Sequence, residues 1–222
     1  MKEIWKYICS DYYRHTGINC YMDAKCGQVL KLLFIAFTAK NPCFAYSFWL
    51  RLCQRKSVFY PIAKWMHFRL SHKYGVYISS ETPIGFGLFI GHCNGIFINR
   101  SAVLGNNVNL SQIVTIGSNK GKAAYIGDNV YIGPSVCIVE DVRIGSNSTI
   151  GAGSVVIKDV VCDTTVAGVP AKKIKDKGHG EFIGNPWPDN LKVTGIKIGG
   201  NETQSCFIWV YTSNYRFSES VC

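Results

Sequence analysis

The sequence predicts a mainly-β protein: a parallel β-helix of hexapeptide repeats preceded by an α-helical N-terminal arm. Three observations carry this. Aliphatic residues fall at every sixth position in Ile126, Ile132, Ile138, Ile144, Ile150 and Val156, and the beat extends upstream through Ile98, Leu104, Leu110 and Ile116. A second small or apolar residue follows four places after most of them, at Ala102, Val108, Val114, Val130, Val136 and Val142. Before the repeat begins, residues 1 to about 75 show apolar residues at helical spacing.

A short fixed period decides the fold before any other pattern. Three hexads make one triangular coil, each aliphatic residue points to the axis, and stacked coils share a continuous core. Gly or Asn after the aliphatic residue suits the corners, where positive φ is expected. An antiparallel β protein would instead need period-2 alternation and regular hairpin signals, and this stretch has neither.

In chain order, the sequence divides into an arm (1–75), a β-helix (76–176) and a tail (177–222). Within the arm, VLKLLFIAF, FAYSFWLRLC and YPIAKWMHFRLSHKYG read as helices. Asn41-Pro42 and Tyr60-Pro61 mark boundaries, each proline lying near the start of the next helix. Gly75 ends the last helix, which mixes Trp65, Met66, Phe68 and Leu70 with Lys64, His67, Arg69, His72 and Lys73. Two readings are open for it: a helix on a membrane interface, or one packed on the β-helix or another subunit. The apolar run from Val29 is short and contains Lys31, so it does not read as a membrane span.

Charge follows the same division. The net charge is +10, and residues 1–75 hold 12 of the 24 Lys+Arg but 3 of the 14 Asp+Glu. A basic arm suits an anionic membrane surface or an acidic partner, or it is simply a solvated face. No nucleic-acid-binding motif accompanies the charge, so nucleic acid is not an expected partner. The ten cysteines form no CxxC pair, several occupy apolar positions, and Met1–Tyr13 does not read as a secretory leader. Reduced thiols in a cytoplasmic protein are the expectation.

The hexad register breaks twice. The beat Ile84, Ile90, Ile96 slips by two residues to Ile98, in IGHCNGIFIN, and ten residues rather than six separate Ile116 from Ile126. Stacking alone requires neither break. Insertions leave a solenoid as loops, usually on its functional face. After Val156 the repeat fades, and the tail beyond Lys177 shows no hexads.

His92 is the histidine within the coils, at the first break. Imidazole takes a proton near neutral pH, as activation of a hydroxyl nucleophile requires; a structural histidine near a turn is the competing reading. His15, His67 and His72 lie in the arm and His179 at the far border, so the coils cannot supply a histidine trio for zinc, and no metal is expected. The loop GSNKGK suits a phosphate or adenine group through backbone N–H groups and lysines, although it is not a P-loop. Lys158, Lys172 and Lys173 are candidate phosphate cations or surface lysines.

Residues 75–174, through IGFGLFIGHCNGIFIN, NLSQIVTIG, IGDNVYIGPSVCI, IGAGSVV and AGVPAKKI, resemble the hexapeptide-repeat acyltransferases, and among them the serine O-acetyltransferases and related sugar or capsule O-acetyltransferases. The helical arm resembles the serine acetyltransferase layout as well. The resemblance implies a homotrimer of left-handed β-helices, with acetyl-CoA as co-substrate in a groove between subunits; whether the arm joins trimers into a hexamer is left open. His92 matches the family's catalytic base. Gly117 and Ser118 match the start of the cofactor-side loop, and Pro134, Ala152, Lys158 and Lys172 fall at positions used along the CoA groove.

Two departures accompany the resemblance. Where the family has an orienting aspartate fifteen residues before the histidine, this chain has Tyr77, and the nearest carboxylate is Glu81. Where the family has an Arg-His pair late in the loop, this chain has Lys122-Ala123. Groups that would hold an amino acid are thereby lost, which favours a saccharide hydroxyl. The expected activity is direct acetyl transfer to a hydroxyl, without an acyl-enzyme on Cys93. L-serine, giving O-acetylserine for cysteine biosynthesis, is the first acceptor; a sugar or capsule intermediate is the second. A non-catalytic β-helix scaffold is the reading from another class.

Overall fold

The computed structural model describes residues 2–18, 26–54, 59–119, 121–178, 182–188, 193–197 and 207–211. It divides into two units, Met1–Trp187 and Pro188–Cys222. The first opens with four helices: α1 (Lys2–Thr16), α2 (Cys26–Thr38), α3 (Pro42–Cys53) and α4 (Tyr60–Tyr74). The expected boundaries are found. Asn41 caps α3, its side chain accepting the Phe44 N–H at 3.0 Å, which satisfies a donor the first turn leaves free. Gly75 closes α4 in the left-handed region at φ 63°, its N–H bonded to the Ser71 carbonyl. α3 is the hub of the arm: Phe44, Tyr46, Phe48, Trp49 and Leu50 are all buried, and α1, α2 and α4 pack on it. Among the described residues no helix is long and apolar enough to cross a membrane.

The solenoid follows directly. Its first coil has β1 (Val76–Ile78), a bridge at Ile84 and β2 (Phe89–Ile90); its second has β3 (Ile96–Ile98), β4 (Val103–Leu104) and β5 (Asn109–Leu110). The third has β6 (Thr115–Gly117), β7 (Tyr125–Ile126) and β8 (Tyr131–Ile132), and the fourth β9 (Cys137–Val139), β10 (Arg143–Ile144) and β11 (Thr149–Ile150). Each strand pairs in parallel with its counterpart one coil away: Ile98 with Ile116, Leu104 with Ile126, Ile132 with Ile150. The result is a three-sided parallel β-helix whose hexad aliphatics form the buried axis. We call the corner between the first and second sides corner I, between the second and third corner II, and between the third and the next coil corner III.

The repeat persists past Val156. β12 (Val155–Val156) pairs with β9, the next interval shortens to four residues, Val160 bridges Ile144, and β13 (Thr165–Ala167) pairs with β11. The chain then reverses, and β14 (Lys172–Lys175) runs antiparallel to β13. Residues 182–187 return along the solenoid: Phe182 stacks on Tyr131 at 4.8 Å, its carbonyl accepts from Asn109, and Trp187 exchanges hydrogen bonds with the Asn107 amide and meets Tyr13 of α1.

At corner II the glycines do something other than expected. Gly105 and Gly127 follow the aliphatic residue, yet positive φ falls two residues later, on Asn107 and Asn129. The glycines are there for close approach: a Cβ on Gly127 would lie 2.8 Å from the Ser146 nitrogen of the next coil. The asparagines stack into a ladder, Asn107 to Asn129 to Asn147, each amide bonded to the next at 3.1 Å.

The arm is fastened to the first coil by a buried ion pair. Arg51 of α3 binds Asp11 of α1 at 2.8 Å with both side chains fully buried. Arg51 also donates to the carbonyls of Ile84 (2.9 Å) and Gly85 (2.6 Å), and Asp11 accepts the Leu88 N–H at 2.8 Å. In the second unit, β15 (Val193–Lys197) and β16 (Phe207–Tyr211) form an antiparallel pair.

Candidate active site

His92 lies at corner III of the first coil, within the excursion Gly91–Gly95. The backbone there is held on three sides. From the preceding turn, the Tyr74 and Gly75 carbonyls accept the N–H groups of Gly95 (3.4 Å) and Ile96 (3.1 Å). From the following coil, Ile113 donates to the Asn94 carbonyl at 2.9 Å and Gly91 donates to that of Leu110 at 2.9 Å. From the arm, the Cys43 thiol of α3 donates to the Gly91 carbonyl at 3.7 Å. Gly95, at φ 65°, packs against the Ile113 backbone. The His92 side chain itself is exposed. A fixed backbone carrying an exposed imidazole is what a base needs to meet a diffusing hydroxyl.

Tyr77 sits on β1, and its ring is committed to aromatic contacts. It stacks on Phe97 of β3 at 5.2 Å and meets the His72 ring edge-on at 5.7 Å. Tyr77 is 40% exposed and Phe97 48%, so the pair forms an aromatic shelf on the first side, two residues beyond the His92 excursion. Glu81 belongs to corner I. It faces Arg100 at 3.7 Å, both side chains well exposed, and lines a cavity of about 440 Å³ with Ile4, Tyr7, Gln54 and Thr82. That cavity includes neither His92 nor any residue predicted to bind cofactor.

The second register break forms a loop at corner I of the third coil. Gly117 ends β6 and Ser118 opens the loop. Ser118 Oγ donates to Glu140 Oε2 at 2.8 Å, and the Asn119 N–H reaches Glu140 Oε1 at 3.3 Å from the coil below. From the coil above, Asn99 donates to the Ser118 carbonyl at 3.4 Å, and Ser101 Oγ accepts the Ala123 N–H at 3.0 Å. Asn99, Ser101 and Glu140 are anchors that sequence reasoning missed. Their signal was one of phase: they occupy the same corner one coil above and one coil below the insertion.

The structure sorts the predicted residues into columns. His92, Pro134 and Ala152 share corner III; Ser118 and Lys158 lie at corner I with Gly117 leading into it; Lys172 is on β14. Corners III and I are the two edges of the first side, so one chain alone does not gather these residues into one pocket. Among the described residues no cluster of His, Cys, Asp or Glu suited to a metal ion occurs.

A triangular solenoid of hexads with a histidine-bearing excursion at one corner defines a hexapeptide-repeat transferase fold, and residues 123–158 match the family model described as bacterial transferase hexapeptide (six repeats). Serine acetyltransferase 3, mitochondrial, of Arabidopsis thaliana is 39% identical over 115 residues, covering 50% of this chain and 29% of that protein. Serine acetyltransferase of Staphylococcus epidermidis is 41% identical over 109 residues, covering 47% and 51%. The crystal structure of Neisseria gonorrhoeae serine acetyltransferase in complex with serine superposes with a TM-score of 0.60 at 33% identity, over 78% of this chain and 69% of that one. The chain belongs to the hexapeptide-repeat, serine O-acetyltransferase-like family. It spans about half the length, or less, of curated relatives it matches.

Proposed function

We propose that this protein is an acetyl-CoA-dependent O-acetyltransferase that acetylates L-serine. The observation that carries this is the His92 corner, pinned backbone with exposed imidazole, in a chain of this family. His92 takes the proton of the acceptor hydroxyl as its oxygen attacks the thioester carbonyl. Backbone N–H groups stabilise the oxyanion, and collapse releases CoA, which leaves with the proton held by His92. Acetyl-CoA lies between the corner III column of one subunit and the corner I column of the next. The division of the predicted residues between these columns supports a homotrimer. Cys9, Cys43, Cys53, Cys93, Cys137 and Cys162 are not joined in disulfides, which supports a reducing compartment such as the cytoplasm.

One observation favours a second acceptor. The exposed Tyr77–Phe97 shelf stands where an orienting carboxylate was expected, and a flat aromatic surface suits the apolar face of a sugar ring better than an ammonium group. The deciding experiment is CoA release from acetyl-CoA by wild-type and His92→Ala protein, with L-serine and a sugar panel as acceptors. Serine-dependent release, reduced about 10²–10⁴-fold in the variant, is the expected result. Release with sugars alone would replace serine by a saccharide. No release and no CoA binding would overturn the enzyme reading.

A further inference from the structure

Helix α4 is apolar on two opposite faces. Ala63, Met66 and Leu70 are buried where it packs on α3. At about 100° per residue, the far side carries Trp65 and Phe68, 58% and 61% exposed, with Ile62 at its edge, 50% exposed. A helix that merely covers a core is polar on its outward side. Here the cations stand at the flanks instead: Lys64 to one side, Arg69 to the other and Lys73 in the last turn, all exposed. The Arg69 guanidinium lies 5.6 Å from the centre of the Trp65 ring. Further rings continue the band. Phe68 meets His72 at 4.1 Å, His72 meets Tyr77 at 5.7 Å, and Tyr77 stacks on Phe97 at 5.2 Å. The charge around this face has one sign. From Cys26 to Tyr74 the chain holds eight Lys+Arg and no Asp or Glu. Among the described residues Lys64, Arg69 and Lys73 have no carboxylate partner.

We propose that the outward face of α4 docks this protein on an anionic bilayer surface. Trp65, Phe68 and Ile62 enter at the level of the lipid headgroups, the depth that amphipathic rings favour. Lys64, Arg69 and Lys73 lay their aliphatic stems along the apolar surface and leave their charges among the lipid phosphates. α4 has 15 residues, so it lies along the surface rather than through it. A second copy of this chain fits the face less well. Pairing α4 with its own copy would set Lys64, Arg69 and Lys73 against like charges, and residues 26–74 supply no carboxylate to either side. An anionic surface complements both the rings and the charges.

The test is flotation of the full chain with phosphatidylcholine vesicles, with and without phosphatidylglycerol. The chain should bind the anionic vesicles, bind them less as salt is raised, and bind phosphatidylcholine alone at least about tenfold more weakly. Lys64→Gln and Arg69→Gln should each weaken binding about fivefold. The double change Trp65→Ser, Phe68→Ser should weaken it about tenfold or more. These side chains are exposed, so the variants should melt at the wild-type temperature. Vesicles brominated in their acyl chains should quench tryptophan emission in wild type and much less in Trp65→Phe, which keeps the binding. None of these readouts depends on acetyl transfer. No binding to the anionic vesicles, equal binding to phosphatidylcholine alone, or binding that the double change leaves intact would overturn the proposal. So would a double variant that light scattering, without lipid, shows in a smaller assembly than wild type, because the face would then join copies of this chain.

Discussion

Single residues in this protein are set by which of their neighbours lie in the arm and which in the coils. His67 of α4 shows this. Its Nε2 lies 3.0 Å from the Tyr46 hydroxyl, which also accepts the Ile78 N–H. Burial pushes His67 down to about 4, and burial with the nearby Arg14 charge does the same to His15. Both histidines are therefore neutral when folded. In the unfolded chain they take up protons from about pH 6.5, so their contribution to stability is complete above that pH and declines as pH falls towards 4. Melting temperature measured from pH 7.5 to 4 should drop over that window, and His67→Gln should flatten the slope. His92 was legible in the sequence because it interrupts a counted repeat. Cys43 was not: it lies 48 positions from the Gly91 carbonyl it meets, and only the packing of α3 on the first coil brings them together.

Elements were legible where one period or one cap decides them. Asn41-Pro42 and the hexads gave the helix boundary and the coils directly, because each is a local device. The docking of arm on solenoid was not, since it depends on Asp11 and Arg51, which are 40 residues apart in sequence. Removing one partner strands the other charge in the interior, so Asp11→Ala should destabilise by about 3–5 kcal/mol, measured by denaturant unfolding. Replacing both residues by apolar ones of similar size should cost less than the single change. Within the coils, Gly127→Ala forces a Cβ against the Ser146 backbone at 2.8 Å and should cost about 1–3 kcal/mol, the range for overpacking. Assigning corner glycines to positive φ missed this, because a six-residue repeat reports phase but not the distance between coils.

At the scale of the whole molecule, corners I and III carry different parts of the predicted site, and each chain presents both. If neighbouring subunits complete one another, His92→Ala chains and chains lacking residues 118–122 should each be inactive alone. Unfolded and refolded together, they should recover about a quarter of wild-type activity, since random mixing pairs an intact histidine corner with an intact loop at one interface in four. Light scattering on the mixture should show the mass of a trimer, and no recovery in such a trimer would place the complete site within one chain. The sequence could not reveal this division, because neighbours along the chain become neighbours around a prism only once coils are counted. The last strand has a consequence of its own. By turning back antiparallel to β13, β14 puts Lys172, Lys173 and Lys175, all exposed, on the outermost edge of that sheet. A ladder of identical rungs is an invitation to polymerise, and a row of ammonium groups on its final rung repels the next copy. That edge is thereby disfavoured as a template for a further strand, even with Lys173 paired to Asp176.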